Sequence, residues 1–432
     1  MSERKRSFTD VLTEKVMQLA EPLSAFAENT IIASIQEGMS STISITIIGG
    51  IFLLLNVFSR PMNGASTAVL QFLAPLNGKL MVVNQLTTGL FCIYISAAIG
   101  MAYAKRLGDI PLNQAVILSL ASFFIITTRG SFNAFDAEGN ALGTSILVGN
   151  LSSNGIFVSI LSSLFAIRVF KFFKEKNIVI KMPDGVPPAI SNSFTALIPT
   201  TVIFTIFWLI RTVMNFDICT WMAGVLTPLF KAADNVGVWT FKETLTNLLW
   251  WCGLHGGSMV APAFSVMQDT FIIENQTAGA AGLAIPHVWH MALSRNYQYP
   301  ACIWPICILM LLSKKKKYKA LGVAVAPSLF FTIIEPLLFG LPIAFNAFLV
   351  IPWLLTTALG AAIPYLACQF GLIGRYFVNV PVLLPPPFSA YLATGGDWRN
   401  VIMVFAITLL GVVIYLPFWR AYEKANETEN EE

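Results

Sequence analysis

The chain has 432 residues, of which 56% are hydrophobic and only 12% are charged, and its formal net charge at pH 7 is +4. Typical soluble domains carry roughly 25% charged residues, so this composition excludes an ordinary soluble protein. Apolar runs close to the length of a bilayer span recur along the chain, which predicts an all-α polytopic membrane protein.

The first half contains five predicted membrane-spanning helices. Residues 1–38 form a cytoplasmic or interfacial N-terminal segment, in which 7–38 mix charged and apolar positions and predict an amphipathic helix at the cytoplasmic interface. The five helices are bounded by Pro, Gly, Asn or charged residues and lie near 39–58, 80–104, 112–128, 146–170 and 193–214. They define a first half at 39–214. Basic residues in its polar, proline-rich loop at 171–192 predict that this loop is cytoplasmic.

The second half is less regular. An amphipathic connector at 215–243 leads into a transport half at 244–420, and the acidic tail at 421–432 is predicted to be disordered. Its apolar segments lie near 258–274, 278–312, 320–340, 343–366, 372–392 and 398–419. Several of them are short or broken by Pro and Gly.

The positions of the basic residues limit the number of membrane crossings. If the lysine run at 314–319 and the basic residues Arg420 and Lys424 both face the cytoplasm, the chain crosses an even number of times between them. Two full spans and two re-entrant hairpins satisfy this count, with tips at Glu335-Pro336 and Pro385–Pro387, and four ordinary spans would satisfy it too. The prolines favour the hairpins and a total of about ten transmembrane helices, because broken helices are tolerated at membrane depth where they line a cavity.

Glu335 is the strongest candidate for a functional residue. It is the only charged residue between Ala320 and Gly340, and Pro336 follows it at once. A carboxylate at this depth costs roughly 2.5–3.5 kcal/mol even on the mildest insertion scales, so such residues usually bind substrate or ions. The alternative is an acid that reaches a helix end or a neighbouring helix.

Histidine is scarce, and His255 lies next to glycines at 253, 256 and 257 that expose its imidazole. A histidine of this kind can orient a carboxylate and bind hydroxyl groups. His287 and His290 have the i, i+3 spacing of zinc ligands but lack a third ligand, so an interfacial aromatic belt with Trp289 is the better interpretation. The six cysteines show no CxxC spacing and are interpreted as small buried hydrophobic residues.

The sequence contains no Walker A loop, GxSxG elbow or dinucleotide-binding GxGxxG motif. The chain is therefore not expected to be an ATP-driven pump or to carry a catalytic residue of its own. No cofactor, metal ion or nucleic acid is expected to bind. Transport energy must come from an ion gradient, another subunit or chemical trapping of the substrate.

Four blocks in order resemble the lactose/cellobiose-type enzyme IIC of the bacterial phosphoenolpyruvate-dependent sugar phosphotransferase system. They are the loop at 180–199 (IKMPDGVPPAISNSFTALIP), Leu254-His255-Gly256, the stretch 335–342 (EPLLFGLP) with Asn346, and 388–399 (FSAYLATGGDWR). By their order and spacing, the resemblance covers about residues 30–420.

The resemblance implies a homodimer in the bacterial plasma membrane, with both termini cytoplasmic and the first helices at the dimer interface. The later helices and hairpins would hold one sugar, and a separate cytoplasmic IIB protein with a phosphocysteine would phosphorylate it. In this family the positions of His255 and Glu335 bind the sugar. The supporting positions expected around them are Gly256, Gly257, Pro336 and Asn346.

Three blocks depart from the family pattern and leave the sugar open. Ile334 stands where the family usually has Asn, and Val382-Leu383-Leu384 stands where it has Trp-Thr-Thr. The usual glycine-rich stretch is replaced near 292–300. A β-linked disaccharide such as cellobiose, diacetylchitobiose or lactose is the expected substrate class. The alternatives are a proton-coupled sugar transporter, with Glu335 and His255 as a relay, and a membrane sugar sensor.

Overall fold

The structure is a computed structural model that describes residues 25–26, 28–59, 72–136, 138–183, 185–341, 343–344, 346–381 and 384–428. The chain folds into two compact units. The first, called the N-terminal unit, comprises Glu28–Gly49 and Val82–Phe230. The second, called the C-terminal unit, comprises Gly50–Met81 and Lys231–Glu432 with the beginning of the chain. Most of the predicted amphipathic segment at 1–38 lies outside the described residues.

The described residues are predominantly helical. In chain order the α-helices are α1 (Thr30–Ser41), α2 (Ile43–Phe58), α3 (Lys79–Thr87), α4 (Phe91–Leu107), α5 (Leu112–Thr127), α6 (Ile156–Glu175), α7 (Pro188–Trp208), α8 (Ile218–Ala233), α9 (Val236–Trp251), α10 (Gly256–Ala281), α11 (Met291–Leu293), α12 (Tyr299–Cys302), α13 (Trp304–Leu312), α14 (Lys316–Phe330), α15 (Glu335–Gly340), α16 (Val350–Gln369), α17 (Pro386–Ala393) and α18 (Trp398–Thr428). Short 3₁₀ turns cover Ala74–Leu76, Thr88–Leu90, Gly149–Leu151 and Ser153–Gly155, and π-helical turns cover Leu209–Val213 and Ser294–Gln298.

Length and composition identify membrane-spanning helices in the described part of the chain. Six qualify, and they are Thr30–Phe58, Lys79–Leu107, Ile156–Glu175, Ile190–Val213, Val350–Gln369 and Trp398–Ala425. The all-α multi-pass architecture predicted from composition is confirmed. The total of about ten spans stays a prediction.

Small residues bring the helices of the N-terminal unit close together. A Cβ atom on Gly38 of α1 would lie 2.4 Å from the side chain of Ile99 on α4, and one on Gly100 would lie 1.9 Å from the Ser119 hydroxyl on α5. The hydroxyl of Ser96 also lies 2.9 Å from that of Ser163 on α6. Small residues and interhelical hydroxyl bonds are the usual means of packing helices in lipid, where no hydrophobic force drives them together.

The predicted helix at 146–170 begins ten residues later than expected. Strand β2 (Ala141–Ser145) pairs antiparallel with β1 (Phe132–Phe135), and two 3₁₀ turns separate β2 from α6 at Ile156. The sequence of these turns, GNLSSNG at 149–155, is rich in residues that favour turns over helix. The side-chain amide of Asn150 donates to the Thr127 carbonyl at the end of α5, which fixes the turn.

The predicted segment 278–312 is not one helix. Helix α10 ends where Gly282 adopts a left-handed φ of +70°, and a non-helical stretch follows to His290. Glycine is the usual residue at such a helix end because it has no Cβ penalty there. The chain then continues through α11, a π turn, α12 and α13.

The backbone is also irregular around the two proline-rich sites. Residues 331–334 and 341–349 flank the short helix α15, and residues 370–385 separate α16 from α17 without regular structure in their described part. Pro336 lies in the first turn of α15 and Pro386 in that of α17, where the missing N–H leaves no helical hydrogen bond unmade. That these segments re-enter the membrane stays a prediction.

All six cysteines are free and buried, which confirms their interpretation as small hydrophobic residues. The belt predicted around His290 and Trp289 was wrong, because these side chains are only 1% and 0% exposed. They pack inside the C-terminal unit, and an interfacial belt would expose them.

Candidate functional site

A tight helix end positions His255. Helix α9 ends at Trp251, and Gly253 follows in the left-handed region at φ +71°. Its N–H donates to the Trp250 carbonyl at 3.0 Å, and the N–H of Leu254 donates to the Leu249 carbonyl at 3.0 Å. This pair of bonds is the Schellman motif, whose position after the helix favours glycine. Leu254 packs against the apolar core that contains Leu249, so the chain direction into His255 is fixed.

His255 is the N-cap residue of α10. Its Nδ1 accepts from the Ser258 backbone N–H at 3.1 Å and lies 2.9 Å from the Ser258 hydroxyl. A backbone N–H can only donate, so Nδ1 carries no proton in this arrangement and the neutral ring has its proton on Nε2. The side chain is exposed. It therefore presents an N–H donor that suits a hydroxyl or carboxylate oxygen.

The ring of Trp250 packs against the ring of His255. The two ring centroids lie 4.3 Å apart, and the planes are inclined by 47°. Trp250 is 7% exposed, and its indole N–H has no hydrogen-bond partner in the described part of the chain. A buried unpaired donor is costly unless a ligand or water satisfies it. Sequence reasoning missed Trp250; the signal was an indole five residues before the histidine.

The two glycines after His255 have different roles. A Cβ atom on Gly256 would lie 2.0 Å from the Thr246 carbonyl oxygen, so glycine is required for α10 to begin against α9. A Cβ atom on Gly257 would lie 3.5 Å from Cε1 of His255, an ordinary contact. Gly256 therefore sets the helix position, whereas Gly257 leaves one face of the imidazole uncovered.

Glu335 is the first residue of α15; its side chain lies outside the described part of the structure. Three residues earlier, Thr332 has a left-handed φ of +61° at the end of α14, with its N–H donating to the Leu329 carbonyl. A β-branched residue rarely adopts this conformation, and such strain is concentrated at functional sites.

The apolar neighbours of Glu335 anchor α15. Ile334, Leu337 and Leu338 are 3%, 0% and 2% exposed and belong to the core that also contains Trp250 and Trp251. Ile334 thus serves as a core residue, where the related family has an amide.

One direct hydrogen bond links the segments that contain His255 and Glu335. The indole N–H of Trp251 donates to the Asn346 backbone carbonyl at 3.2 Å. The Asn346 side-chain oxygen accepts from the N–H groups of Phe348 and Leu349, at 3.0 and 3.3 Å, just before α16. Asn346 therefore orders the loop after α15 and ties it to the end of α9. A direct pairing of His255 with Glu335 stays a prediction.

Sequence reasoning also missed a charged network around His287. Its Nδ1 lies 3.0 Å from Asp234 Oδ2 and its Nε2 lies 2.5 Å from Glu274 Oε2. The hydroxyl of Tyr365 donates to Asp234 at 2.6 Å, and the Phe271 ring stacks on the imidazole at 3.9 Å. Both ring nitrogens face carboxylates, which is the arrangement of a protonated imidazolium. The partners are 53 and 13 residues away in sequence, so no local pattern revealed them.

The charges of this network shift its pKa values. Burial lowers the pKa of His287, but hydrogen bonds and charges from Asp234 and Glu274 outweigh burial and raise it above its ordinary value. Burial likewise opposes ionisation of Asp234, yet hydrogen bonds from His287 and Tyr365 lower its pKa. The network therefore holds the non-helical stretch before α11 against α10 through the partly exposed ion pair of His287 with Glu274.

A buried acid lies on α9. Glu243 is 1% exposed; its Oε1 lies 2.6 Å from Lys242 Nζ, and its Oε2 accepts from the Ser294 hydroxyl at 2.8 Å. The Lys242 ammonium also lies 5.0 Å from the centre of the Trp239 ring. Because both oxygens are engaged, this acid links α9 to the π turn after α11.

Metal chemistry has no support in the described residues, which contain no group of three or more His, Cys, Asp or Glu side chains able to hold an ion. An apolar cavity of about 210 Å³ lies between Trp304, Leu329 and Phe405. Its walls offer almost no hydrogen-bonding groups, so it does not suit a sugar. The exposed imidazole of His255, which packs beside Trp250, offers the polar group that a sugar requires.

The sequence matches a known protein family and several known relatives. The family model described as "Phosphotransferase system, EIIC" matches residues 36–357. The chain is 31% identical to "Putative permease IIC component YwbA" of Bacillus subtilis (strain 168), over 96% of each chain. It is 30% identical to "Lichenan permease IIC component" of the same organism, over 96% of this chain and 93% of the relative.

A solved structure has the same fold. The crystal structure of ChbC, the IIC component from the N,N'-diacetylchitobiose-specific phosphotransferase system, aligns with a TM-score of 0.84 at 27% identity. The alignment covers 98% of this chain and 99% of ChbC. Agreement over nearly the whole of both chains extends the likeness to the irregular second half.

Proposed function

The chain belongs to the phosphotransferase system EIIC family, whose members are the sugar-translocating membrane subunits of such systems, and we propose that His255 and Glu335 form the sugar site of this chain. The single observation that carries this proposal is the geometry of His255. Its Nδ1 is occupied by Ser258, which leaves an exposed Nε2–H beside an aromatic ring with an unpaired indole donor.

The chemistry of a sugar suits these groups. Pyranose hydroxyls both donate and accept, so one hydroxyl can accept from the His255 Nε2–H while it donates to the Glu335 carboxylate. The apolar C–H face of the sugar can pack against the exposed imidazole of His255, one face of which Gly257 leaves uncovered.

The partner protein explains how the sugar is retained. IIC subunits of this family work with IIB proteins, and we propose that a separate cytoplasmic IIB protein phosphorylates the hydroxyl that His255 and Glu335 hold. In that step the sugar oxygen bonds to phosphorus, the bond from phosphorus to the IIB cysteine sulfur breaks, the cysteine departs as a thiolate, and the hydroxyl proton passes to solvent. The phosphorylated sugar carries a charge that a bilayer excludes, so it cannot return.

We propose a β-linked disaccharide or related glycoside as the substrate. The names of the relatives mention lichenan and N,N'-diacetylchitobiose, which supports an oligosaccharide over a monosaccharide. Ile334 is buried in the core and offers no hydrogen bond to the sugar. Residues 382 and 383 lie outside the described part, so the second hairpin adds nothing to this assignment.

The proposed assembly is a homodimer whose first half, 39–214, forms the interface, while 244–420 moves the sugar and both termini face the cytoplasm. The location of His255 and of the Glu335 backbone in one compact unit supports this division of roles.

The test combines sugar binding with coupled uptake. Purified His255→Ala and Glu335→Gln variants should bind cellobiose or diacetylchitobiose at least tenfold more weakly than the wild-type protein. Proteoliposomes that contain them, supplied with IIA, IIB and the general phosphotransferase proteins, should accumulate little sugar phosphate. Glu138→Gln, in the turn between β1 and β2, is the matched control and should change neither quantity. Folded His255 and Glu335 variants with wild-type affinity would rule out this site.

A further inference from the structure

A cavity of about 590 Å³ lies at the basic end of α18, inside the C-terminal unit. Its walls come from two places more than 100 residues apart in sequence, the end of α13 with the lysine run and the last turns of α18. The lining residues are Leu309, Leu312, Ser313, Lys314, Lys315, Leu416, Trp419, Arg420, Glu423 and Lys424.

The polar wall of the cavity is cationic. Lys314, Lys315, Arg420 and Lys424 contribute four positive charges, against the single carboxylate of Glu423 among the lining residues. Glu423 is itself engaged, since its carboxylate accepts from the Ser313 hydroxyl and its backbone carbonyl accepts from the Lys315 ammonium. Four cations and one carboxylate give the lining residues a formal net charge of +3, which suits an anion.

Trp419 lines the cavity and packs in an aromatic cluster. Trp419 is 2% exposed, and its ring centre lies 5.2 Å from that of Tyr318 and 5.7 Å from that of Tyr422. The Lys315 and Lys317 ammonium groups lie 5.9 and 4.9 Å from the centre of the Tyr318 ring. Aromatic rings combined with cations are typical of the headgroup level of a membrane.

The apolar wall continues into an exposed stripe on α18. Ile402, Phe405, Leu409 and Val413 are 56%, 56%, 65% and 62% exposed, and they follow one another by three or four residues. Such spacing places them on one face of the helix. The next members of this series are Leu416 and Arg420, which both line the cavity. An apolar track therefore leads along a membrane-spanning helix directly into the basic cavity.

We propose that this cavity binds the phosphate headgroup of an anionic phospholipid, with an acyl chain lying along the stripe of α18. The charges select an anion, because each Lys or Arg near an anionic lipid strengthens binding about fivefold. The stripe and the exposed Leu312 select a lipid over free phosphate, because a soluble anion gains nothing from an apolar track. The lysine run, interpreted from the sequence as a topology signal, thereby acquires a binding role.

The test measures lipid binding to the purified full-length protein in neutral detergent by native mass spectrometry. The probes are phosphatidylglycerol, phosphatidylcholine and inorganic phosphate. The wild-type protein should bind phosphatidylglycerol at least tenfold more tightly than phosphatidylcholine. The pair Lys314→Gln with Arg420→Gln should abolish this preference. The pair Lys316→Gln with Lys319→Gln removes the same charge from the same basic segment outside the cavity, and should retain it.

Leu409→Gln changes the stripe but none of the charged residues of the cavity. It should weaken phosphatidylglycerol binding severalfold, which distinguishes a lipid site from a site for free phosphate. All variants are exposed substitutions, and equal melting temperatures in lipid-free detergent establish that they fold. The proposal is overturned if both charge pairs lower binding equally, if phosphatidylcholine binds as well as phosphatidylglycerol, or if inorganic phosphate competes as effectively as the lipid.

Discussion

A single methyl group at Gly256 should weaken sugar binding at least tenfold. In Gly256→Ala the new Cβ would lie 2.0 Å from the Thr246 carbonyl oxygen and 2.9 Å from its carbonyl carbon. Both atoms are backbone of α9, so no side chain can rotate away. The start of α10 must therefore move by about 1 Å or more, and His255 is the N-cap residue of that helix.

The expected magnitude follows from the cost of overpacking. Inserting a methyl group into a packed site costs about 1–3 kcal/mol, and 1.4 kcal/mol is a tenfold change in an equilibrium constant. We expect Gly256→Ala to weaken sugar binding by tenfold or more and to lower the melting temperature by several degrees.

Gly257→Ala is the matched control for the same assay. Its Cβ makes only an ordinary contact at 3.5 Å with the His255 ring, and alanine favours a helix over glycine by up to about 1 kcal/mol. Its melting temperature should equal or exceed that of the wild-type protein, while the covered imidazole face should weaken sugar binding by a few-fold. Isothermal titration with the sugar and thermal melting in detergent measure both quantities. Wild-type binding and melting in Gly256→Ala would refute the assigned geometry.

Three further substitutions test the surroundings of the site. Thr332→Gly should raise the free energy of unfolding by up to about 1 kcal/mol, because glycine adopts the left-handed φ of +61° without strain; a lower melting temperature would show that threonine is not strained there. His287→Asn should destabilise the protein more at pH 6 than at pH 9. The folded-state pKa of His287 is raised above 6.5, so its stabilisation is complete below that pH and is lost as the pH rises through the folded-state pKa; a difference in melting temperature that does not change with pH would contradict the ion pair. Asn400→Leu should lower the free energy of unfolding by about 2 kcal/mol or more, because it removes hydrogen bonds to the Gly374 N–H and carbonyl and to the Tyr297 hydroxyl; thermal melting checks this, and an unchanged value would mean that water replaces the amide.

Local sequence determined the helices of the first half and the glycine-flanked turn around His255. Apolar runs bounded by Pro, Gly and charge predicted the span Lys79–Leu107, which contains α3 and α4, and helix α5 to within a few residues, because spanning a membrane requires each segment to satisfy its own backbone. The glycines at 253 and 256 indicated a close, exposed turn, and the structure adds the helix end and the close backbone contact that require them. The family resemblance, carried by four ordered blocks, is confirmed over nearly the whole chain.

Other predictions failed where a local pattern admits two structures. The stretch 146–155 is apolar enough for a helix, but its turn-forming residues and the bond from Asn150 to α5 hold it outside one. His287 and His290, three residues apart, suggested one shared face. Instead, His287 binds two carboxylates from elsewhere in the chain, and His290 is buried.

The sequence by itself therefore determined the class of protein, its family and the candidate residues His255 and Glu335, because these depend on composition, short motifs and the cost of an isolated charge in lipid. Only the tertiary structure decided which groups meet. It supplied the Trp250 ring beside the imidazole, the tie from Trp251 to Asn346, the His287 ion pair and the basic cavity between Lys314 and Arg420. Such contacts join residues that are tens to more than a hundred positions apart, and the packing of helices, rather than any local propensity, brings them together.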